Sequence, residues 1–100
     1  MKTVFLSGRL TADPEISVVG KDSRKVANFT IANNDSGKEG GEFFDVRCWE
    51  QLAEFVEGYL RKGNRIILQG TCNQETYKDS EDKKRYRFSI TASRIEFAGR

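Results

Sequence analysis

The stretch Phe43-Phe44-Asp45-Val46-Arg47-Cys48-Trp49 carries the most pointed chemistry in the chain. Side chains alternate between the two sides of a strand, so Phe44, Val46 and Cys48 share an apolar face suited to a core. Phe43, Asp45, Arg47 and Trp49 share the other face. Solvent gives no reason for a phenyl ring and the single tryptophan to sit there, and a core does not accept Asp and Arg. Flat rings with a cation between them, on an open sheet surface, suit the faces of unpaired bases and the phosphates that join them. The pattern points to binding of single-stranded nucleic acid. Tyr77, at the outward end of a later strand, offers a third ring. Arg47, Arg61, Lys62, Arg85 and Arg87 offer cations for a phosphate track. Each has a plainer reading. Phe43 and Trp49 could pack against another subunit, Tyr77 could be a strand-end tyrosine with its hydroxyl in water, and surface cations are usually just solvated.

Other chemistries find less support. The absence of histidine removes the commonest general acid/base and the usual metal ligand. Cys48 and Cys72 cannot alone complete a zinc site; both fall in inward strand phases and read as buried, reduced thiols. Carboxylates at Asp13, Asp22, Asp35 and the 79–82 loop show no ligand spacing, and no serine motif is present. An enzyme such as a small nuclease is therefore disfavoured, and no metal or cofactor is expected. The formal net charge of +2 is modest for a polyanion binder, so the placement of the cations matters more than their number. The length of 100 residues fits one domain spanning the chain. No apolar run approaches the roughly 20 residues of a membrane span. The apolar start of the chain ends at Ser7-Gly8-Arg9, too soon for a signal peptide. The cytoplasm is the expected location, and no membrane partner is expected.

The elements that must position these residues follow from periodicity. Lys2 to Leu10 reads as a strand broken by Thr11-Ala12-Asp13-Pro14, since Pro14 has no ladder donor. Glu15 to Val19 is a short extended piece, Gly20 to Ser23 a turn, and Val26 to Ala32 a strand with Ala27, Phe29 and Ile31 inward. Together they suggest an antiparallel meander. Asn33 to Glu42 is polar and glycine-rich and reads as a mobile loop; a phosphate cradle lacks the strand-to-helix context it needs. From Glu50 to Arg61 the period becomes helical, with Leu52, Phe55, Val56, Tyr59 and Leu60 on one stripe and Tyr59 assigned to the core. Gly63 reads as the residue just past the helix end. Arg65 to Tyr77 returns to strand, with Ile66, Leu68, Gly70 and Cys72 inward. Lys78 to Lys84 is a charged, solvated hairpin loop. Arg85 to Phe97 is the last strand, with Tyr86, Phe88, Ile90 and Ala92 inward and a bulge near Ser93-Arg94 that returns Ile95 and Phe97 to the core. The fold class expected is all-β: a five-stranded OB-fold Greek-key barrel with one α-helix between strands 3 and 4.

Several short segments, in order, resemble the DNA-binding domain of bacterial-type single-stranded DNA-binding proteins. They are Val4 to Thr11 with Asp13-Pro14-Glu15, Val26 to Ala32, Leu52-Ala53-Glu54 with Tyr59 to Gly63 and Gly70, and Arg85-Tyr86. The resemblance runs from about Lys2 to Phe97. It implies an OB-fold that binds single-stranded DNA without sequence preference, in support of replication, recombination and repair. It also implies self-association as a homotetramer, with a dimer as the smaller alternative. Phe43, Trp49 and Tyr77 match the family's stacking positions. The sequence departs from the family in lacking an aromatic between Asn33 and Glu42, and in carrying Asp45, Asn73 and Glu75 where some relatives are basic. Weaker binding or a shifted strand path is the expected result. The family's acidic C-terminal tip, which recruits replication and repair enzymes, has no counterpart before Gly99-Arg100, so no recruiting role is implied. The implied setting is the bacterial cytoplasm, for a protein of the cell, a phage or a mobile element. The alternatives are an OB-fold protein-interaction module acting as a replication accessory factor and an RNA-binding OB domain, since a stacking face accepts either sugar.

Overall fold

The computed structural model describes residues 2–35, 37 and 41–99. The elements are β1 (Val4–Leu10), β2 (Glu15–Val19), β3 (Arg24–Asn33), β4 (Glu42–Trp49), α1 (Glu50–Tyr59), β5 (Arg65–Lys78) and β6 (Lys84–Phe97). The all-β class with one helix stands, but the sheet has six strands rather than five, in the order β1-β5-β6-β4-β3-β2. β1 also pairs with β3, through Arg9↔Ala32 and Leu10↔Ile31, which closes β1, β5, β6, β4 and β3 into a ring. β2 continues along β3 from Glu15↔Asn28 to Val19↔Arg24. β1 and β2 are thus two stretches of one line laid along β3, interrupted where Pro14 cannot donate. That corrects the expected meander, because β3 rather than β2 is the central partner. All pairings are antiparallel except β4 with β6.

Inward residues of the ring and one face of the helix share a single core. Ile31, Leu60, Ile66, Leu68, Val46, Val56 and Cys48 are its largest fully buried side chains. Each aliphatic among them contributes roughly 1.5–3 kcal/mol relative to exposure. Burial also pushes the Cys48 thiol up to about 12, as expected of an inert core cysteine, while Cys72 is half-buried. α1 packs on β3, β4 and β6, and Lys25 Nζ on β3 donates to Glu57 Oε1 at 2.7 Å.

The helix stops at Tyr59, with Leu60 already extended. Tyr59 is 66% exposed, which corrects its assignment to the core; Ala53 and Val56 form the buried face instead. Gly63 does not cap the helix directly. It takes its positive φ of 88° in the Arg61–Asn64 turn.

The bulge falls where the pattern places it. Gln69 pairs with Arg94 and Gly70 with Ala92, so Ser93 is skipped and Ile95 returns to the core. Phe97 remains 49% exposed, and the inward assignment of Tyr86 and Phe88 fails outright, at 55% and 57% exposed. The reason is strand length. β1 last pairs with β5 at Gly70, and β4 first pairs with β6 at Ser89. Beyond those points β5 and β6 pair only with each other, as an arm that extends past the barrel.

At the bulge the backbones approach too closely for a side chain. A Cβ on Gly70 would meet the Thr91 carbonyl oxygen and lie 3.0 Å from Ala92 Cα. Gly70→Ala therefore forces β6 off its path and is expected to destabilise by about 1–3 kcal/mol, read as a lower urea midpoint. An unchanged midpoint would show that the β6 backbone yields freely there.

Candidate nucleic-acid interface

β4 presents Phe43, Asp45, Arg47 and Trp49 on the side away from the core, as alternation requires. Register extends that face sideways. Thr30 lies opposite Asp45 and Asn28 opposite Arg47 on β3, and Ser89 lies beside Asp45 and Thr91 beside Arg47 on β6. Beyond β6, Asn73, Glu75 and Tyr77 of β5 stand opposite Ser89, Arg87 and Arg85. The outer surface of four strands is thus one continuous sheet face.

A groove of about 320 Å³ crosses this face. Asn28, Thr30, Asp45, Arg47 and Ser89 line its floor; Thr11 to Asp13 with Glu15 form one rim, and Glu75 with Arg87 the other. The polar floor is held by its own hydrogen bonds. Thr30 Oγ1 donates to Asp45 Oδ1 at 2.9 Å, and Arg47 Nε donates to Asn28 Oδ1 at 3.2 Å. Asp45 and Arg47 thus each turn to β3 rather than to the other. The groove holds four carboxylates, Asp13, Glu15, Asp45 and Glu75, against two cations, Arg47 and Arg87.

The rings flank this groove. Phe43 is 62% exposed and Tyr77 46% exposed. Arg87 lies over Tyr77, its guanidinium carbon 5.2 Å from the ring centroid. Trp49 is half-buried, and Arg24 sits 4.6 Å from its ring centroid. Arg24 Nε also donates to Glu50 Oε1 at 2.8 Å. Glu50 there has a left-handed φ of 55°, which costs a non-glycine residue about 1–2 kcal/mol, so the Arg24 clamp lies at the strained turn from β4 into α1. One face of the indole is therefore already in contact with a cation. The sequence reading missed Arg24. Its signal is phase: counting back by twos from Asn28 through Val26 reaches Arg24 on the outward side of β3.

The remaining cations are unequally available. Arg61 does not join the face. Its Nη1 donates to the carbonyls of Glu57 at 2.8 Å and Leu60 at 2.7 Å, satisfying carbonyls that the helix end leaves without partners. Lys62 is tied to the groove rim by its backbone N–H, which donates to Asp13 Oδ1 at 2.8 Å. Arg85 stands opposite Tyr77, but its Nε donates to Asp79 Oδ2 at 2.8 Å. Asp79 organises the arm tip: its Oδ1 accepts the backbone N–H of Glu81 at 2.9 Å and of Lys83 at 3.0 Å. The Arg85 bond first, then the Lys83 N–H, hold its carboxyl below the ordinary 3.8. The loop between Asn33 and Glu42 lies partly outside the described residues.

Three comparisons bear on this surface. The single-strand binding protein family model matches residues 1–98. A single-stranded DNA-binding protein of Fusobacterium nucleatum is 33% identical over 104 residues, covering 97% of this chain and 66% of the relative. Single-stranded DNA-binding protein 1 of Clostridium acetobutylicum is 28% identical over 102 residues, covering 97% of this chain and 93% of the relative. The chain thus spans just under two thirds of the first relative and nearly all of the second. The crystal structure of the wild-type single-stranded DNA binding protein from Thermus aquaticus superposes with a TM-score of 0.78 at 26% identity, over 100% of this chain and 41% of that one.

A depressed carboxyl stabilises the fold in full above its unfolded-state value, and the contribution fades as pH falls through the lowered folded-state value. The Asp79–Arg85 tie should therefore persist from neutral pH down through 3.8 and be lost only in stronger acid. In NMR, the Arg85 Nε–H resonance should hold its position until then and move as Asp79 protonates. Asp79→Asn should show the acid-state position at every pH. An Arg85 signal identical in both proteins at neutral pH would show that the pair does not form in solution.

Proposed function

Because the chain belongs to the single-strand binding protein family, we propose that it binds single-stranded DNA without regard to sequence, by stacking bases on Phe43, Trp49 and Tyr77 and by drawing phosphates to Arg47, Lys62, Arg87 and, less strongly, Arg85. The observation that carries the reading is the outer face itself. Two exposed rings, a half-buried indole and two groove cations lie on one sheet surface. Stacking tolerates any base because every base has a flat face. The protein acts by binding rather than by catalysis, in keeping with its family. Its role is to hold strands apart and protect them during replication, recombination and repair, in the bacterial cytoplasm. Among the described residues no helix is long and apolar enough to cross a membrane.

Self-association as a homotetramer belongs to the same proposal. Phe5 is 71% exposed and Ile67 48% exposed on neighbouring β1 and β5. From Val4 to Gly8, β1 pairs on one side only among the described residues. An open edge beside exposed apolar side chains favours contact with a second copy.

The electrostatics set a modest expectation for salt. With about three phosphate contacts per protomer, log K should fall against log salt with a slope near about −2. Titration with oligo(dT) should quench Trp49 fluorescence, and rising salt should reverse it. Phe43→Ala should weaken binding by about 1–3 kcal/mol. Arg61→Ala should lower thermal stability and leave affinity alone. Absence of quenching at saturating oligonucleotide would remove Trp49 from the binding face. Solution mass should report a tetramer, and Phe5→Lys should reduce it; a monomer at micromolar concentration would overturn the assembly.

A further inference from the structure

The arm has a second face that the outer-face reading does not use. Its residues continue the core phase past the end of the barrel: Gln74, Thr76 and Lys78 on β5, with Phe88, Tyr86 and Lys84 opposite them on β6. No opposing wall remains there, and Tyr86 and Phe88 stand 55% and 57% exposed. The six side chains include no carboxylate and two lysines. Lys84 Nζ lies 5.9 Å from the Tyr86 ring centroid. Lys78 makes only a long exposed pair, 3.7 Å, with Asp82 at the tip. The groove on the other side holds more carboxylates than cations, so the underside of the arm is the more favourable of the two for a polyanion.

We propose that this underside, Tyr86 and Phe88 flanked by Lys78 and Lys84, is a second stacking surface for the same single strand, which folds over the arm edge from Tyr77. The inference rests on the proposed single-strand binding. Charge selects the occupant: two rings bordered by lysines, on a face whose six side chains include no carboxylate, match bases joined by phosphates. Reach permits the path. The arm is two strands wide, about 10 Å at the ordinary strand spacing. Tyr77 and Tyr86 lie on opposite faces at neighbouring register positions, Tyr77↔Arg85 and Thr76↔Tyr86. A strand leaving Tyr77 therefore rounds one edge to meet Tyr86 and then Phe88. The arm would be gripped from both sides rather than lying beside the DNA.

The test uses the full chain carrying Tyr86→Ser and Phe88→Ser together; both side chains are exposed, so the barrel core is untouched. Affinity for a short oligo(dT) of about 6 nucleotides, enough for the outer face alone, is compared with a longer one of about 20. Trp49 quenching reports the outer face in both proteins. The double variant should bind the short oligonucleotide as the wild type does and the long one about 10-fold or more weakly. Long oligonucleotide containing 5-bromodeoxyuridine should photocrosslink to wild-type Tyr86 or Phe88. Equal binding of the long oligonucleotide, with Trp49 still quenched and no crosslink at either ring, would overturn the second surface while leaving the outer face intact. Weaker binding accompanied by a lower solution mass would overturn it too, by assigning the rings to a neighbouring copy. A wild type with no quenching and no binding would instead sink the single-strand reading itself.

Discussion

Closing the ring of strands around a core one side chain deep is the constraint on which the other features depend. The closure is narrow. β1 meets β3 at only Arg9 and Leu10, and β4 meets β6 in parallel over Asp45 to Arg47. Both seams need close backbone approach, and glycine supplies it. A Cβ on Gly8 would lie 2.7 Å from the Ala32 carbonyl oxygen, beside the first seam. Gly70 plays the same part against Thr91 and Ala92, beside the second. The bulge at Ser93 keeps β6 in phase with the core on both sides of that approach. Once the ring is shut, alternation leaves each strand no choice about which residues it shows to solvent, and the outer face of β4 follows.

The same closure explains what the sequence reveals and what it conceals. Alternation gives a side chain's phase, and phase was legible for much of the core: Ala27, Phe29 and Ile31 inward on β3, Val46 and Cys48 inward on β4, Ile66 and Leu68 inward on β5. Depth was not legible. Tyr86 and Phe88 have the phase of Ile90 but lie past the last wall of the barrel. That wall's position is set by where β1 and β4 stop pairing, which is a property of other segments. Tyr59 fails for a related reason. Helical spacing put it on the apolar stripe, but the helix runs out at that residue, and its ring lies against Phe55, centroids 5.4 Å apart, rather than in the core. An apolar residue at the end of an element is governed by what lies beyond the end.

The outward placement of Phe43 and Tyr77 was readable because it depends on residue type and strand face, both local. The cations were not, because their availability depends on partners distant in sequence. Arg61 is committed to the Glu57 and Leu60 carbonyls at the helix end, Arg85 to Asp79, and Arg24 reaches from β3 to Glu50 and Trp49. The Arg85–Asp79 pair lies at the surface, where solvent screens it, so it holds Arg85 only weakly. Arg61 is different. Withdrawing it would strip two carbonyls of their partner at the end of a helix whose next residue, Leu60, is fully buried. Counting positive charges would weigh these two arginines equally, and their hydrogen bonds do not.

The arm concentrates the tension between stability and binding. Two strands paired only with each other are marginal in water, and from Thr71 to Lys78 the β5 strand has no second neighbour. Its order comes from the ladder, from Arg87 over Tyr77, and from Asp79 gathering two backbone N–H groups and Arg85. Filling its undersurface with a packed wall would stabilise it, but would also remove the exposed rings. A sheet that projects with both faces open loses core packing and gains contact area, an exchange that suits a flexible polymer better than a compact ligand. The carboxylates of the groove fit the same logic. On the proposed binding, Asp45 and Glu75 would weaken the pull on phosphates and leave base contact to carry more of the affinity.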